Sequence, residues 1–129
     1  MTQEDKKLLL QDLCARLPYG VKASYYGAEE ERETWDEIED ITFDGYVEIG
    51  QYSLSVESIK PYLFPLSSMT EKEWEDYQKI RMIDWVFGDI NGTFINAGLI
   101  VDWLNAHHFD YRGLIEKGLA IDATGLNIY

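Results

Sequence analysis

Two histidines and a carboxylate stand together in the last third of the chain, in His107-His108-Phe109-Asp110. Imidazole and carboxylate groups are ordinary metal ligands, and histidine serves as a general base near neutral pH. The spacing is unfavourable, because adjacent helical residues point in different directions and helical ligand pairs stand four residues apart. We therefore expect no metal and no cofactor. A small enzyme or metal-dependent protein that uses His107, His108 and Asp110 stays open as the alternative hypothesis, with His108 and Asp110 as its catalytic candidates.

Cys14 is the lone cysteine, so the chain cannot form an internal disulfide. A reactive thiolate needs an electropositive, partly exposed setting. Cys14 instead falls on a leucine-rich helical stripe, which predicts a small buried hydrophobic residue. The glycines follow neither the Rossmann nor the P-loop pattern, so no phosphate-binding loop is expected.

Acidity is the dominant feature of the composition: 24 acidic residues stand against 11 basic ones, a net charge of −13. Much of it lies between Glu29 and Glu48, where Arg32 is the only base. Such a segment repels phosphate, which excludes direct nucleic-acid binding, and attracts basic surfaces. Two interpretations stay open. The run either keeps the protein soluble, or it imitates a phosphate backbone and occupies the basic groove of a nucleic-acid-binding protein.

We expect a non-enzymatic protein that binds a protein partner through one of two surfaces. One is the acidic run. The other is the segment around Pro61 and Pro65, where aromatic side chains beside a rigid extended backbone suit recognition. Its alternative is that these aromatic residues close the core. The candidate partner-binding residues are Glu29, Glu30, Glu31, Glu33, Asp36, Glu37, Tyr62 and Phe64.

The elements that must position these residues begin with a helix from about Gln3 to Arg16. Thr2 is its expected N-cap, and acidic residues occupy its first turn. Alternating apolar residues then predict a strand in which Val21, Ala23 and Tyr25 face the core.

Asp44-Gly45 between two apolar runs predicts a β-hairpin beyond the acidic loop. A two-residue loop would divide the apolar side chains between the two faces. A three-residue loop pairs Phe43 with Val47 and Ile41 with Ile49, which gathers four apolar side chains on one face. We favour the second register.

Gly50 resets the alternation, which predicts a β-bulge. The prolines predict an extended connection or a sheet edge from Ile59 to Leu66. Thr70 and Glu73 form a capping box for a helix that continues to about Phe87. Its expected inward face is Trp74, Tyr77, Ile80, Ile83 and Phe87, broadened by Met82, Trp85 and Val86. The remaining predictions are a helix from Asn96 to His107, a short helical turn capped by Asp110 and ending at Gly118, and two strands around Thr124-Gly125.

Together these elements predict one α+β domain over residues 1–129: a small antiparallel β-meander with an N-terminal helix and two or three further helices packed on it. No apolar stretch is long enough to span a membrane. The apolar run after Lys7 is too short for a signal peptide, so we expect a cytoplasmic protein. The oligomeric state stays open.

Three stretches resemble a group of small proteins encoded in gut Bacteroidales genomes, often near prophage or other mobile-element genes. They are residues 12–21 (DLCARLPYGV), residues 59–70 (IKPYLFPLSSMT) and the tail over residues 103–129. The likeness is weaker from Ser24 to Glu57, which includes the acidic run. The resemblance implies a cytoplasmic bacterial or phage-linked accessory protein, and it assigns no functional residue.

Overall fold

The structure is a computed structural model that describes residues 1–25, 34–88 and 97–129, without the side chains of residues 83–88 and 97. The described helices are α1 (Gln3–Arg16), α2 (Glu71–Gly88) and α3 (Ala97–Ala106). The described strands are β1 (Lys22–Tyr25), β2 (Thr34–Ile41), β3 (Tyr46–Ile49), β4 (Tyr52–Ser55), β5 (Ile59–Pro65), β6 (Phe109–Asp110) and β7 (Ile121–Asp122). Short 3-10 turns follow α1, β4 and β5. The predicted α+β class is confirmed.

Helix α1 has the predicted bounds and cap. The Thr2 hydroxyl accepts a hydrogen bond from the Asp5 backbone N–H at 3.0 Å, and the Asp5 carboxylate accepts one from the Thr2 N–H. Its buried residues are Leu9, Asp12, Leu13 and Arg16, spaced as one helical face. Cys14 lies outside that face and is exposed, so the prediction of a buried thiol is wrong.

One sheet runs in the order β4-β3-β2-β1-β5-β6, and β7 also pairs with β5. The first four strands form the predicted antiparallel meander. Strand β5 is extended as predicted, but it lies inside the sheet and not at its edge. It pairs antiparallel with β1 and parallel with β6 and β7, which come from the far end of the chain. Local sequence carries no sign of such distant partners.

The two faces of the sheet differ. Helix α1 packs on the inner face, over the main core of Leu9, Leu13, Val21, Ala23, Tyr25, Ile38, Val47, Ile49, Val56, Ile59, Leu63, Leu114, Leu119 and Ala120. On the outer face, a second cluster of Tyr62, Ala123 and Ile128 places the C-terminal segment over β5. The outer face of β2, β3 and β4 carries exposed and half-buried polar residues.

The favoured hairpin register is wrong. Ile38 pairs with Ile49 and Ile41 with Val47, with a β-bulge between residues 38 and 40. Part of the expected acidic loop is strand β2, which begins at Thr34 and allows Ile38 to take the core position opposite Ile49. Phe43 is left fully exposed at the hairpin tip.

Gly50 is not a bulge. It begins the two-residue turn between β3 and β4, because Ile49 and Tyr52 are directly paired. Its φ of 61° is the left-handed conformation that glycine adopts without strain. An added Cβ would also clash with the Tyr25 hydroxyl, so both the backbone and the packing require glycine here.

Helix α2 begins at the predicted capping box: the Thr70 hydroxyl accepts from the Glu73 N–H at 3.1 Å, and Glu73 accepts from the Thr70 N–H at 2.9 Å. Its predicted inward face is wrong at Trp74 and Met82, which are 51% and 66% exposed, whereas Tyr77 and Ile80 of that face are half-buried. The Tyr77 ring lies tilted by 40° against the Trp103 ring of α3, with 5.9 Å between ring centroids. The two helices thus pack on each other, and none of the described side chains of α2 belongs to either core cluster.

Some of the remaining predictions lie outside the described residues, and others are confirmed only in part. Asn96 and the side chains of Ile83, Trp85, Val86 and Phe87 lie outside the described residues. The short helical turn expected after Asp110 is present as turns over residues 114–118, with the Lys117 N–H donating to the Gly113 carbonyl oxygen at 3.2 Å. Of the two strands expected around Thr124-Gly125, the first forms as Ile121–Asp122 and pairs with β5. The second does not form, since Leu126 is exposed and Asn127 has a φ of 55°.

Candidate functional site

The two histidines make separate contacts. His107 Nδ1 lies 2.9 Å from the Trp103 carbonyl oxygen, and its ring stacks on Trp103. The His108 ring stacks on Tyr129 with centroids 3.6 Å apart, and no described residue hydrogen-bonds its buried Nδ1. Burial first, and the charge of Arg16 second, lower the pKa of His108 to about 4. His108 is therefore neutral at pH 7 and a poor base.

Asp110 is held by the backbone. Its Oδ1 accepts from the Leu114 N–H at 3.0 Å and the Arg112 N–H at 3.2 Å, and its Oδ2 accepts from the Ile115 N–H at 2.9 Å. This is the capping role that the sequence indicates, applied to turns and not to a helix. Because backbone donors occupy both oxygens, the geometry does not favour a catalytic pair of Asp110 with His108. Within the described residues, no group of three or more His, Cys, Asp or Glu side chains is placed to hold a metal ion.

A buried ion cluster joins α1 to the C-terminal part of the chain. The Arg16 Nε donates to Asp12 Oδ2 at 2.8 Å, and its Nη2 donates to the Phe109 carbonyl oxygen at 2.7 Å. Arg112 Nη1 lies 3.4 Å from the second Asp12 oxygen. Sequence reasoning missed this cluster because charged residues were assumed to face solvent. The available signal was an Asp–Arg pair four residues apart within a leucine-rich helix.

The outer face of β2 and β3 carries a group of carboxylates, which we call the acidic face: Glu37, Asp40 and Glu48. Val47 and Ile49 point into the core, so Glu48 between them points outward. Asp40 is its direct cross-strand partner. Glu37, next to buried Ile38, pairs with Lys22 and is exposed.

No described cation forms a salt bridge with the acidic face. Lys22 stands opposite Glu37, but its ammonium group donates to the Ile128 carbonyl oxygen at 2.8 Å and lies 5.3 Å from the Trp35 ring centroid. The ion pairs of the described residues join Lys6 to Glu57 and join Asp12 to Arg16 and Arg112. Asp40 and Glu48 therefore oppose each other as like charges.

Exposed aromatic side chains border the acidic face. Trp35 and Tyr46 are each 47% exposed, and their register places both on the outer side of the sheet. The Trp35 ring makes an edge contact with Tyr62, with 6.5 Å between ring centroids. Sequence reasoning did not select Trp35 or Tyr46, because it had placed the residues around Trp35 in a loop.

The other partner-binding candidates are distributed over several environments. Tyr62 is buried, and Phe64 is half-buried between Phe109 and Tyr129, so both contribute to the core as the alternative interpretation expected. Asp36 is exposed in β2 but pairs with Ala23, away from the acidic face. Glu29, Glu30, Glu31 and Glu33 lie outside the described residues.

The structure has two clefts whose described linings include neither histidine. One of about 420 Å³ lies between α1 and the hairpin, with Lys6, Lys7 and Leu10 in its wall. The other, of about 210 Å³, is lined by residues that include Phe64 and Phe109.

No family model, curated protein or solved structure matches this chain. None of the described helices is long and apolar enough to cross a membrane.

Proposed function

We propose that this protein is a cytoplasmic accessory protein without enzymatic activity, of the bacterial or phage-linked kind that the resemblance implies, and that it binds a basic partner protein through the acidic face. The observation that carries the proposal is the cross-strand pair of Asp40 and Glu48. Like charges directly opposite each other in a sheet reduce stability. A cation from a partner would relieve that repulsion, so the pair favours the bound state.

The aromatic border supports a protein partner over simple solubility. Tyrosine and tryptophan are enriched at protein interfaces, where a large ring buries apolar area. Trp35 and Tyr46 present such area beside the carboxylates. Their position beside the carboxylates, and not their exposure alone, supports a partner, because a partner that contacts the acidic face would also cover these rings.

A nucleic-acid-binding protein is the partner class that fits best, because its basic groove is built to receive negative charge. Duplex DNA added to the complex is then expected to compete with this protein for the partner. A basic partner with another function would keep the complex when DNA is added.

The test compares two variants with the same change in charge. One neutralises the acidic face with Glu37→Gln, Asp40→Asn and Glu48→Gln. The control neutralises three exposed acids of other segments with Glu75→Gln, Asp102→Asn and Glu116→Gln. Each is used for affinity purification from the native host with mass spectrometry, at low and at high salt.

We expect the wild type and the control to retain a basic partner at low salt and to lose it at high salt. The acidic-face variant should lose it at both. Equal retention of the partner by the two variants would contradict the proposal, because the acidic face would then contribute no more to binding than other exposed acidic residues do.

A further inference from the structure

Among the described strands, β4 stands last in the sheet order and pairs with β3 alone. A two-residue turn closes the β3–β4 hairpin, so the closing pair Ile49–Tyr52 is hydrogen-bonded. Hydrogen-bonded pairs alternate along an antiparallel ladder. Tyr52 and Leu54 therefore direct their backbone groups at β3, and Ser53 and Ser55 direct theirs outward. The edge offers the N–H groups of Ser53 and Ser55 and the C=O of Ser53 to an added strand, because the Ser55 C=O accepts the first hydrogen bond of the 3-10 turn that follows β4.

Within the part of the chain that the structure describes, this edge lacks the usual protection. Edge strands are commonly blocked by lysine, proline, a bulge or a covering element. Strand β4 reads Tyr-Ser-Leu-Ser, without proline or charge, and shows no irregularity in its pairing with β3. No described residue forms a backbone hydrogen bond with the outward groups of Ser53. The inward side chains of Tyr52 and Leu54 are only half-buried, so an added strand would also cover apolar surface.

The charges beside the edge indicate which strand fits. Asp40, Glu48 and Ser53 form one row across three strands, because each is the direct partner of the next. A residue added opposite Ser53 would extend that row. A lysine or arginine there can reach across the small serine toward Glu48. A second copy of this chain would bring its own acidic face to the same row, and repulsion disfavours it.

We propose that the edge of β4 is a strand-addition site that takes an extended, basic segment of the partner, with lysine or arginine opposite Ser53. This inference rests on the proposed function and specifies its binding mode, in which main-chain hydrogen bonds supply affinity and the acidic row supplies selectivity. The strand is short and ends at a 3-10 turn beside the Lys6–Glu57 ion pair. The basic side chains of the segment therefore belong at the Ser53 end.

The test uses the full chain and a defined probe, an end-capped octapeptide of alternating valine and lysine. Amide hydrogen exchange of the protein is measured by NMR with and without the peptide. We expect the amides of Ser53 and Ser55 to become at least about tenfold more protected, because they would enter a ladder, while those of Tyr52 and Leu54 change little. The matched peptide of valine and glutamate should give no protection.

Two substitutions at Ser53 isolate the contribution of its backbone N–H to peptide binding. Ser53→Pro removes the outward N–H and is tolerated at a strand edge, whereas Ser53→Ala keeps it. Ser53→Pro should weaken peptide binding by roughly fivefold or more, the value of one net hydrogen bond, and Ser53→Ala by less than about twofold. Equal binding by the two variants would overturn strand addition. If Ser53→Pro fails to fold, the exchange pattern of the wild type decides alone.

The outcomes separate the two proposals. Loss of peptide binding in the acidic-face variant, with Ser53→Pro binding normally, would keep the proposed function and remove strand addition. Normal binding by both variants would remove both. Protection of Ser53 and Ser55 without peptide, together with a mass that rises with concentration, would show a second copy at the edge and overturn the inference.

Discussion

Asp12 is a fully buried carboxylate between two arginines, and it accepts a hydrogen bond from each. A buried charge is tolerated only when its partners replace the lost water. Arg16 in turn links Asp12 to the Phe109 carbonyl oxygen, so the first helix is tied to a strand 93 residues further along the chain. The pair is therefore a connection between distant segments.

Removing one partner should show this directly. Asp12→Asn keeps the shape but leaves Arg16 as an uncompensated buried cation, and we expect a loss of about 3–5 kcal/mol in the free energy of unfolding. Urea denaturation measures it. The control is Asp102→Asn, at an exposed position, which should stay within about 0.5 kcal/mol of the wild type.

A double variant tests the cause. Asp12→Leu with Arg16→Met removes both charges, so it should lose less stability than Asp12→Asn alone. A double variant that is at least as unstable as Asp12→Asn would show that packing, and not an unpaired charge, dominates at this position.

At the scale of the element, features that depend on local sequence were predicted correctly, and features that depend on distant contacts were not. The bounds of α1 and the capping box at Thr70 depend on residues within one helical turn, and both are confirmed. The hairpin register and the position of β5 depend on partners elsewhere in the chain. The turn around residues 42–45 could be predicted from the sequence. The favoured register nevertheless paired Ile41 with Ile49, because the sequence does not show that Ile38 takes this position.

The candidate site follows the same division. The acidity of β2 could be read from the sequence, since charge requires no fold. The pairing of Asp40 with Glu48 and the outward placement of Trp35 could not, because both depend on the register and on the bulge in β2. The open edge of β4 likewise follows from topology.

The C-terminal segment closes a gap between two central strands. The Tyr129 hydroxyl accepts from the Lys22 N–H at 2.9 Å and donates to the Tyr62 carbonyl oxygen at 2.8 Å. It thus bridges β1 and β5 just beyond their last direct pair, Ala23 with Pro61, where proline offers no N–H. A side chain from the end of the chain takes the place of a ladder bond.

Tyr129→Phe should therefore lower the free energy of unfolding by about 1–3 kcal/mol, because two backbone groups lose their partner. The effect should also depend on pH. Burial, the first cause, raises the pKa of Tyr129 to about 12 from its usual 10. The unfolded chain then loses this proton at lower pH than the folded chain does, so rising pH favours unfolding. The stabilising effect of the hydroxyl is complete below pH 10 and is lost between pH 10 and 12.

Thermal or urea unfolding of the wild type and Tyr129→Phe across pH 8 to 12 measures this difference. The other tyrosines and the lysines titrate in both proteins and cancel in the comparison. Stability curves that remain parallel up to pH 12 would contradict the role given to the hydroxyl.

Over the whole molecule, a net charge of −13 acts against compactness, because like charges repel in the folded state. Part of that cost lies at a defined location, the acidic face, where Asp40 and Glu48 are direct cross-strand partners. If the face exists to bind, then relieving its repulsion should improve folding and impair binding together. A surface that only aids solubility has no reason to couple the two.

Glu48→Gln tests whether stability and binding are coupled, because it removes one negative charge and keeps the shape of the side chain. We expect the free energy of unfolding to rise by about 0.2–1 kcal/mol at low salt, since Asp40 no longer faces a like charge, and the gain should shrink as salt screens the pair. Binding of the valine–lysine peptide should weaken in the same variant. The control Glu116→Gln makes the same change in net charge at an exposed turn and should alter neither quantity. Stabilisation of both variants to the same extent would assign the effect to total charge. A gain in stability together with a loss of peptide binding in Glu48→Gln, but not in Glu116→Gln, would identify the Asp40–Glu48 row as a surface maintained for a cationic partner.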